Sequence, residues 1–146
     1  MGLHARRVLI ADSDSSVRQQ LYRALLAVDV FSDVVSSVPA ALEKLDLEAY
    51  GVVLVDIALA GGDPEEVLAR IASLPGTARP VVLVVALNPT AARSLDVDVV
   101  QIVLRKPLGL RQTVEVIRSC VENAPTRSQL SDRGDDGRGD SDQLTS

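Results

Sequence analysis

The sequence predicts an α/β domain built on a single doubly wound, five-stranded parallel sheet with helices on both faces. Apolar runs rich in β-branched residues recur along the chain, helical periodicities lie between them, and the joins are short. Strands and helices alternating in this way leave few arrangements other than a parallel sheet, because the crossovers are right-handed.

The elements follow in order. Val8 to Ala11 carries no polar residue and suits a strand buried on both faces. Val17, Leu21, Ala24, Leu25 and Val28 then recur at i, i+4, i+7, i+8 and i+11, which is one face of a helix. Val30 to Val35 contains Ser32 and Asp33 and reads as a strand nearer an edge. Ser37, followed by Pro39, opens a helix over Pro39 to Leu45. Val52 to Val55 is a second doubly buried strand. Asp63-Pro64-Glu65-Glu66 sets an N-cap, a first-position proline and a third-position glutamate before a helix over Val67 to Leu74. Val81 to Val85 and Val99 to Leu104 supply the fourth and fifth strands, again as continuous apolar runs that suit burial on both faces. Between them LNPTAARSLDVD leaves room for about two turns of helix, with poor periodicity. Leu110, Val114, Ile117 and Val121 mark the last helix. From Pro125 the composition turns to Gly, Ser and Asp with almost nothing apolar. The domain is therefore expected over residues 1–124, with a disordered tail over 125–146. The tail's Arg138-Gly139-Asp140-Ser141 is an adhesion-like tetrapeptide of a kind that arises by chance in low-complexity sequence, and it carries no weight.

Composition narrows the functional classes. A chain of 146 residues, 47% of them hydrophobic, suffices for one domain with its own core. The net charge of −5 and an aromatic content of only 2% supply neither a basic footprint nor stacking platforms, so direct nucleic-acid binding is not expected. A single cysteine, Cys120, forms no internal disulfide and no thiol cluster for zinc, which fits a reducing cytoplasm. No apolar run reaches the length of a signal peptide or a membrane span, so no membrane partner is expected. The only histidine, His4, lies in the N-terminal stretch, and no histidine-dependent triad or zinc site can be assembled. Gly61-Gly62 lacks the spacing of a P-loop or dinucleotide fingerprint.

In open sheets of this kind, ligands bind beyond the carboxyl ends of the strands. Those ends carry Asp12, Ser13 and Asp14 after the first strand and Asp56 after the third. Val85 and Ala86 close the fourth, and Arg105-Lys106-Pro107 follow the fifth. One edge thus gathers three carboxylates and a lysine. Singly, each has an ordinary reading. Ser13 or Asp14 suits a helix cap before Ser15 as well as a ligand role. Asp56 would be poorly solvated behind its apolar run unless a cation or donors meet it, although an aspartate opening a turn is the alternative. Lys106 is either a solvated surface lysine or the charge partner of the acids.

VLIADSD with Asp12, VVLVDIAL with Asp56, PVVLVVA in the fourth strand and VLRKPL with Lys106-Pro107 resemble the receiver domain of bacterial two-component response regulators. Order and rough spacing match over residues 6 to 124. The resemblance implies a flavodoxin-like sheet of strand order 2-1-3-4-5. It implies that Asp56 accepts a phosphoryl group from a histidine kinase or phosphotransfer protein, with Lys106 holding a phosphoryl oxygen. Asp12 and Asp56, helped by Asp14, would be the acids of an Mg²⁺ pocket, and the Lys-Pro peptide would be cis. A signalling domain rather than an enzyme follows, with a downstream protein partner. The chemistry suits these residue types: a carboxylate attacking a phosphoryl group meets like-charge repulsion, which a divalent cation and an ammonium offset. Mg²⁺ needs only one or two carboxylates, waters completing its shell.

The chain departs from the family's pattern at several positions. Ser13 stands where a second adjacent acid is usual, so metal affinity is expected to be weak unless Asp14 compensates. Val85 replaces the Ser or Thr of the fourth strand, Val103 the aromatic of the fifth, and Ala60 a common proline. These losses fall on the readout more than on the acceptor. The expectation is a divergent, stand-alone receiver-like domain with an atypical output switch. A phosphorylation-independent adaptor is the near alternative, for which the resemblance implies a contact surface that includes the helix after the fourth strand, the fifth strand and the last helix. Asp12-Ser13-Asp14 also resembles the first motif of haloacid-dehalogenase-type phosphatases, with Asp12 as nucleophile and Asp14 as general acid. That family needs a Ser or Thr closing a later strand, where this chain has Val85 and Ala86, and no cap-sized insertion is available.

Overall fold

The computed structural model describes residues 7–88 and 98–123, together with Thr90 and Leu95. The apolar runs form parallel strands: β1 (Val8–Ala11), β2 (Ser32–Val35), β3 (Val52–Asp56), β4 (Val81–Ala86) and β5 (Val100–Arg105). They lie in the order β2-β1-β3-β4-β5, as expected. The described helices are α1 (Ser15–Leu26), α2 (Val38–Leu47), α3 (Glu65–Ala72) and α4 (Leu110–Asn123). The expected short helix before the fifth strand lies largely outside the described residues, and the expected tail over 125–146 lies wholly outside them.

Side-chain alternation along each strand divides the interior into two layers. Leu9, Val53, Val55, Val82 and Val84 face α2 and α3, where Val38, Ala41, Val67 and Ile71 meet them. Val8, Ile10, Leu54, Leu83 and Val85 point the other way, against Leu21, Leu25, Ile117 and Val121 of α1 and α4. Each fully buried Leu or Ile in these layers contributes about 1.5–3 kcal/mol relative to exposure.

Local chemistry sets the helix ends. Asp14 caps α1 through its side chain, which accepts from the amides of Ser16 and Val17. The α1 pattern extends to Val28, but the helix ends at Leu26. Asp29 adopts φ 63°, a left-handed conformation that aspartate tolerates, and the Val30 amide donates back to the Leu25 carbonyl at 2.9 Å. Ser37 caps α2 by accepting from the Ala40 amide. Asp63 accepts from the Glu65 amide at 3.0 Å, but α3 begins at Glu65, so Pro64, expected as its first residue, takes the cap position and Asp63 stands one residue before it.

Both edges of the sheet are braced. Asp33 of β2 accepts from the Tyr50 hydroxyl at 2.6 Å and from Arg7 at 3.2 Å, fixing β2 to the chain entering β1 and β3. Burial, and then the Asp33 hydrogen bond, push the Tyr50 phenol well above its usual value. The fifth run was expected to be buried on both faces, but β5 is an edge strand with Gln101, Val103 and Arg105 exposed. Its pairing with β4 slips by one residue, from Val82↔Val100 to Leu83↔Ile102. There the Gln101 carboxamide oxygen accepts from the Val82 amide at 2.6 Å, replacing the ladder acceptor that the slip removes. No described helix is long and apolar enough to cross a membrane.

Leu54, 0% exposed at the centre of the sheet, cannot be truncated without leaving a cavity. Leu54→Ala is expected to lower unfolding stability by roughly 3 kcal/mol in a urea titration followed by circular dichroism.

Candidate functional site

The sheet order places β1 and β3 side by side, so Asp12 and Asp56 leave the same edge from adjacent strands. Both are buried, at 0% and 3% exposure. The Asp12 amide continues the ladder by donating to the Val35 carbonyl, and the Lys106 amide extends β5 by donating to the Ala86 carbonyl at 2.9 Å. The Lys106–Pro107 peptide is cis. From β5 the Lys106 ammonium reaches across β4 to Asp56 Oδ2 at 2.5 Å and Asp12 Oδ2 at 3.5 Å. Three residues singled out in the sequence therefore converge on one point.

Each carboxylate also has a local donor. Asp12 Oδ1 accepts from the Asp14 amide at 2.9 Å, and Asp56 Oδ1 accepts from the Ala58 amide at 2.8 Å. Asp12 Oδ2 is different: it is buried with no hydrogen-bond donor among the described residues, facing only the more distant ammonium. Burial raises the Asp12 carboxyl above the ordinary carboxylate range. The Asp14 amide lowers it, the Asp56 charge raises it again, and Lys106 lowers it, the net shift being upward. Burial alone would depress Lys106, but its hydrogen bond to Asp56 and the two carboxylate charges outweigh that and hold it above its usual value.

The expected metal ligands divide. Asp12 and Asp56 share the pocket, and the donorless Asp12 Oδ2 together with a second carboxylate fits a weakly held, largely hydrated Mg²⁺. Asp14 does not join them. Its exposed carboxylate is committed to the first turn of α1, and among the described residues no three acidic, histidine or cysteine side chains group to hold a metal. The same commitment leaves Asp14 poorly placed as the general acid of a phosphatase. Ser13, read in the sequence as a loss, has a partner: its hydroxyl accepts from the Ala60 amide at 2.9 Å. Arg18, not singled out in the sequence, donates to the Asp12 carbonyl at 2.8 Å, and nothing in a helical arginine signals this. Val85 pairs with Asp56 in the ladder but is fully buried in the α1/α4 layer, so no hydroxyl stands beside the acid at that position. Val103 is 41% exposed on β5.

The Asp12 shift fixes a stability profile. A carboxyl raised on folding stabilises the fold fully below its unfolded value near 3.8 and loses that contribution as pH rises through the folded value. Asp12→Asn, which mimics the neutral form, is therefore expected to be more stable than the parent at pH 7, by about 1 kcal/mol. Urea unfolding across pH checks this, the advantage disappearing in acid. A parent protein more stable at neutral pH would contradict it.

Comparison with known proteins agrees with this geometry. The family model for the response regulator receiver domain matches residues 8–118. A CheY-like receiver domain from Methylobacillus flagellatus superposes with a TM-score of 0.67 at 18% identity, covering 79% of this chain and 98% of its own. Response regulator TrrA from Thermotoga maritima, solved with Mg²⁺ and BeF, gives 0.68 at 18% identity, with coverages of 79% and 98%. The orphan response regulator HP1043 of H. pylori gives 0.66 at 21% identity, with coverages of 81% and 98%. No curated protein matches significantly. With the family model spanning both acids and the lysine that the fold brings together, the chain belongs to the response regulator receiver domain family.

Proposed function

We propose that Asp56 accepts a phosphoryl group from a histidine kinase or phosphotransfer protein, and that the modified domain signals to a downstream protein. The observation that carries this reading is the convergence of buried Asp12 and Asp56 on the Lys106 ammonium at the carboxyl edge of the sheet. Buried carboxylates at a strand edge with a shared cation make a poor stabilising device, because desolvation offsets much of the attraction. They suit a site at which negative charge arrives.

In the proposed reaction an Asp56 carboxylate oxygen forms a bond to phosphorus as the bond from phosphorus to the donor nitrogen breaks, the electron pair leaving with the donor imidazole. Lys106 shifts from the Asp56 oxygen to an incoming phosphoryl oxygen, neutralising the charge that the transfer adds. Ala58 holds the other Asp56 oxygen by its amide, limiting rotation of the carboxylate. Asp12 and Asp56 would hold Mg²⁺, which when bound would offset repulsion between the acids and the phosphoryl oxygens. The free thiol of Cys120 suits a reducing compartment, and the cytoplasm is the proposed location.

A second reading, a phosphorylation-independent adaptor, is favoured by one observation: Lys106 bridges both acids, so the chain itself supplies a countercharge to the pocket. Intact-mass measurement after incubation with acetyl phosphate and Mg²⁺ separates the two. A single phosphoryl adduct is expected, abolished in Asp56→Asn and formed about a hundredfold more slowly in Lys106→Met. No adduct on the parent protein would leave the adaptor reading.

A further inference from the structure

The loop after β3 is held at one residue from two directions. The Ala60 amide donates to the Ser13 hydroxyl of the β1–α1 loop at 2.9 Å, and the Ala60 carbonyl accepts from the Val38 amide at the start of α2 at 2.8 Å. Ala60 also forms an isolated parallel bridge with Ser37. The chain then turns at Gly61, φ 88°, where an added Cβ would stand 3.1 Å from Pro39 and 3.2 Å from Ser37, so the turn packs closely against the start of α2. Upstream, the same short loop folds back on its origin: the Ala58 amide donates to Asp56 Oδ1 and the Leu59 amide to the Asp56 carbonyl. Ser13 is the one side chain among these contacts that links the loop to the segment leaving β1, which carries Asp12.

We infer that Ser13 is a positioning residue for Asp56: its hydroxyl fixes the loop at Ala60, so that the Ala58 amide holds the Asp56 carboxylate in place without a cation. The inference rests on Asp56 being the reactive carboxylate, but its test requires no phosphoryl transfer. It also gives Ser13 a task that the ordinary reading, a lost metal ligand, does not. A hydroxyl is a poor ligand for Mg²⁺ and a good acceptor for a main-chain amide.

The test is solvent exchange of backbone amides, measured by NMR on the unphosphorylated full chain in chelator. In the parent protein the Ala58 and Ala60 amides are expected to be protected. Ser13→Ala should accelerate exchange at both by about tenfold, the scale of one lost hydrogen bond, and should shift the Asp56 side-chain carbonyl resonance. Ser13→Thr, which keeps the hydroxyl, should restore both. Ala60→Pro removes the donor; in that background Ser13→Ala should change Ala58 exchange no further, because both substitutions break the same bond. Protection appearing only after Mg²⁺ is added, no effect of Ser13→Ala at Ala58, or additive effects of the two substitutions would each overturn the inference. Failure to form a phosphoryl adduct would leave all these measurements as they are.

Discussion

The ammonium of Lys106, lying between two buried carboxylates, is the contact on which the carboxyl edge of the sheet depends. It draws together β1, β3 and β5, which have β4 and three loops among them, and it meets acids that the apolar strands have carried out of water. Removing two carboxylates from solvent is costly, and one cation with two amide donors, those of Asp14 and Ala58, compensates only in part. The raised Asp12 carboxyl records the remainder. The fold tolerates that penalty because its two apolar layers, closed over the sheet on both sides, supply the stability elsewhere.

Much of this was legible in the sequence because the signals were redundant. The runs at Val8, Val52 and Val81 could only be interior strands, and a parallel sheet then had to bring their carboxyl ends, with Asp12 and Asp56, to one side. What could not be read were features decided by tertiary neighbours. Val99 to Leu104 reads as an interior strand by its aliphatic content, but Gln101 interrupts the run, a single polar residue too weak a signal to fix the edge position that β5 takes. Asp14 was equally a ligand or a cap until the direction of α1 put the Ser16 and Val17 amides within its reach. Ser13 could be seen as a missing acid, but its bond to Ala60 spans 47 residues and leaves no local trace.

The departures at Val85 and Val103 now have places. Val85 is buried against α1 and α4 directly beside Asp56 in the ladder, where a change at the acid meets packed methyl groups rather than a mobile hydroxyl. Val103 sits exposed on the far edge strand, with no ring to swing inward. The altered positions Ser13 and Ala60, by contrast, are two ends of one hydrogen bond and lie on the other side of Asp56, toward α2. The altered positions thus flank the same carboxylate, Val85 on one side and the Ser13–Ala60 bond on the other.

The slip at Gln101 decides which basic side chain serves the acids. Val100 packs toward α2 and α3, whereas Ile102 and Leu104 pack toward α1 and α4, so the inserted residue reverses the phase of the strand. Lys106 continues the Ile102–Leu104 set and turns inward, while its neighbour Arg105 stays in solvent. Had the pairing run without that extra residue, the guanidinium would have faced the carboxylates and the amine the water. A single carboxamide, sealing a gap at the opposite end of the strand, is what makes the cation a lysine.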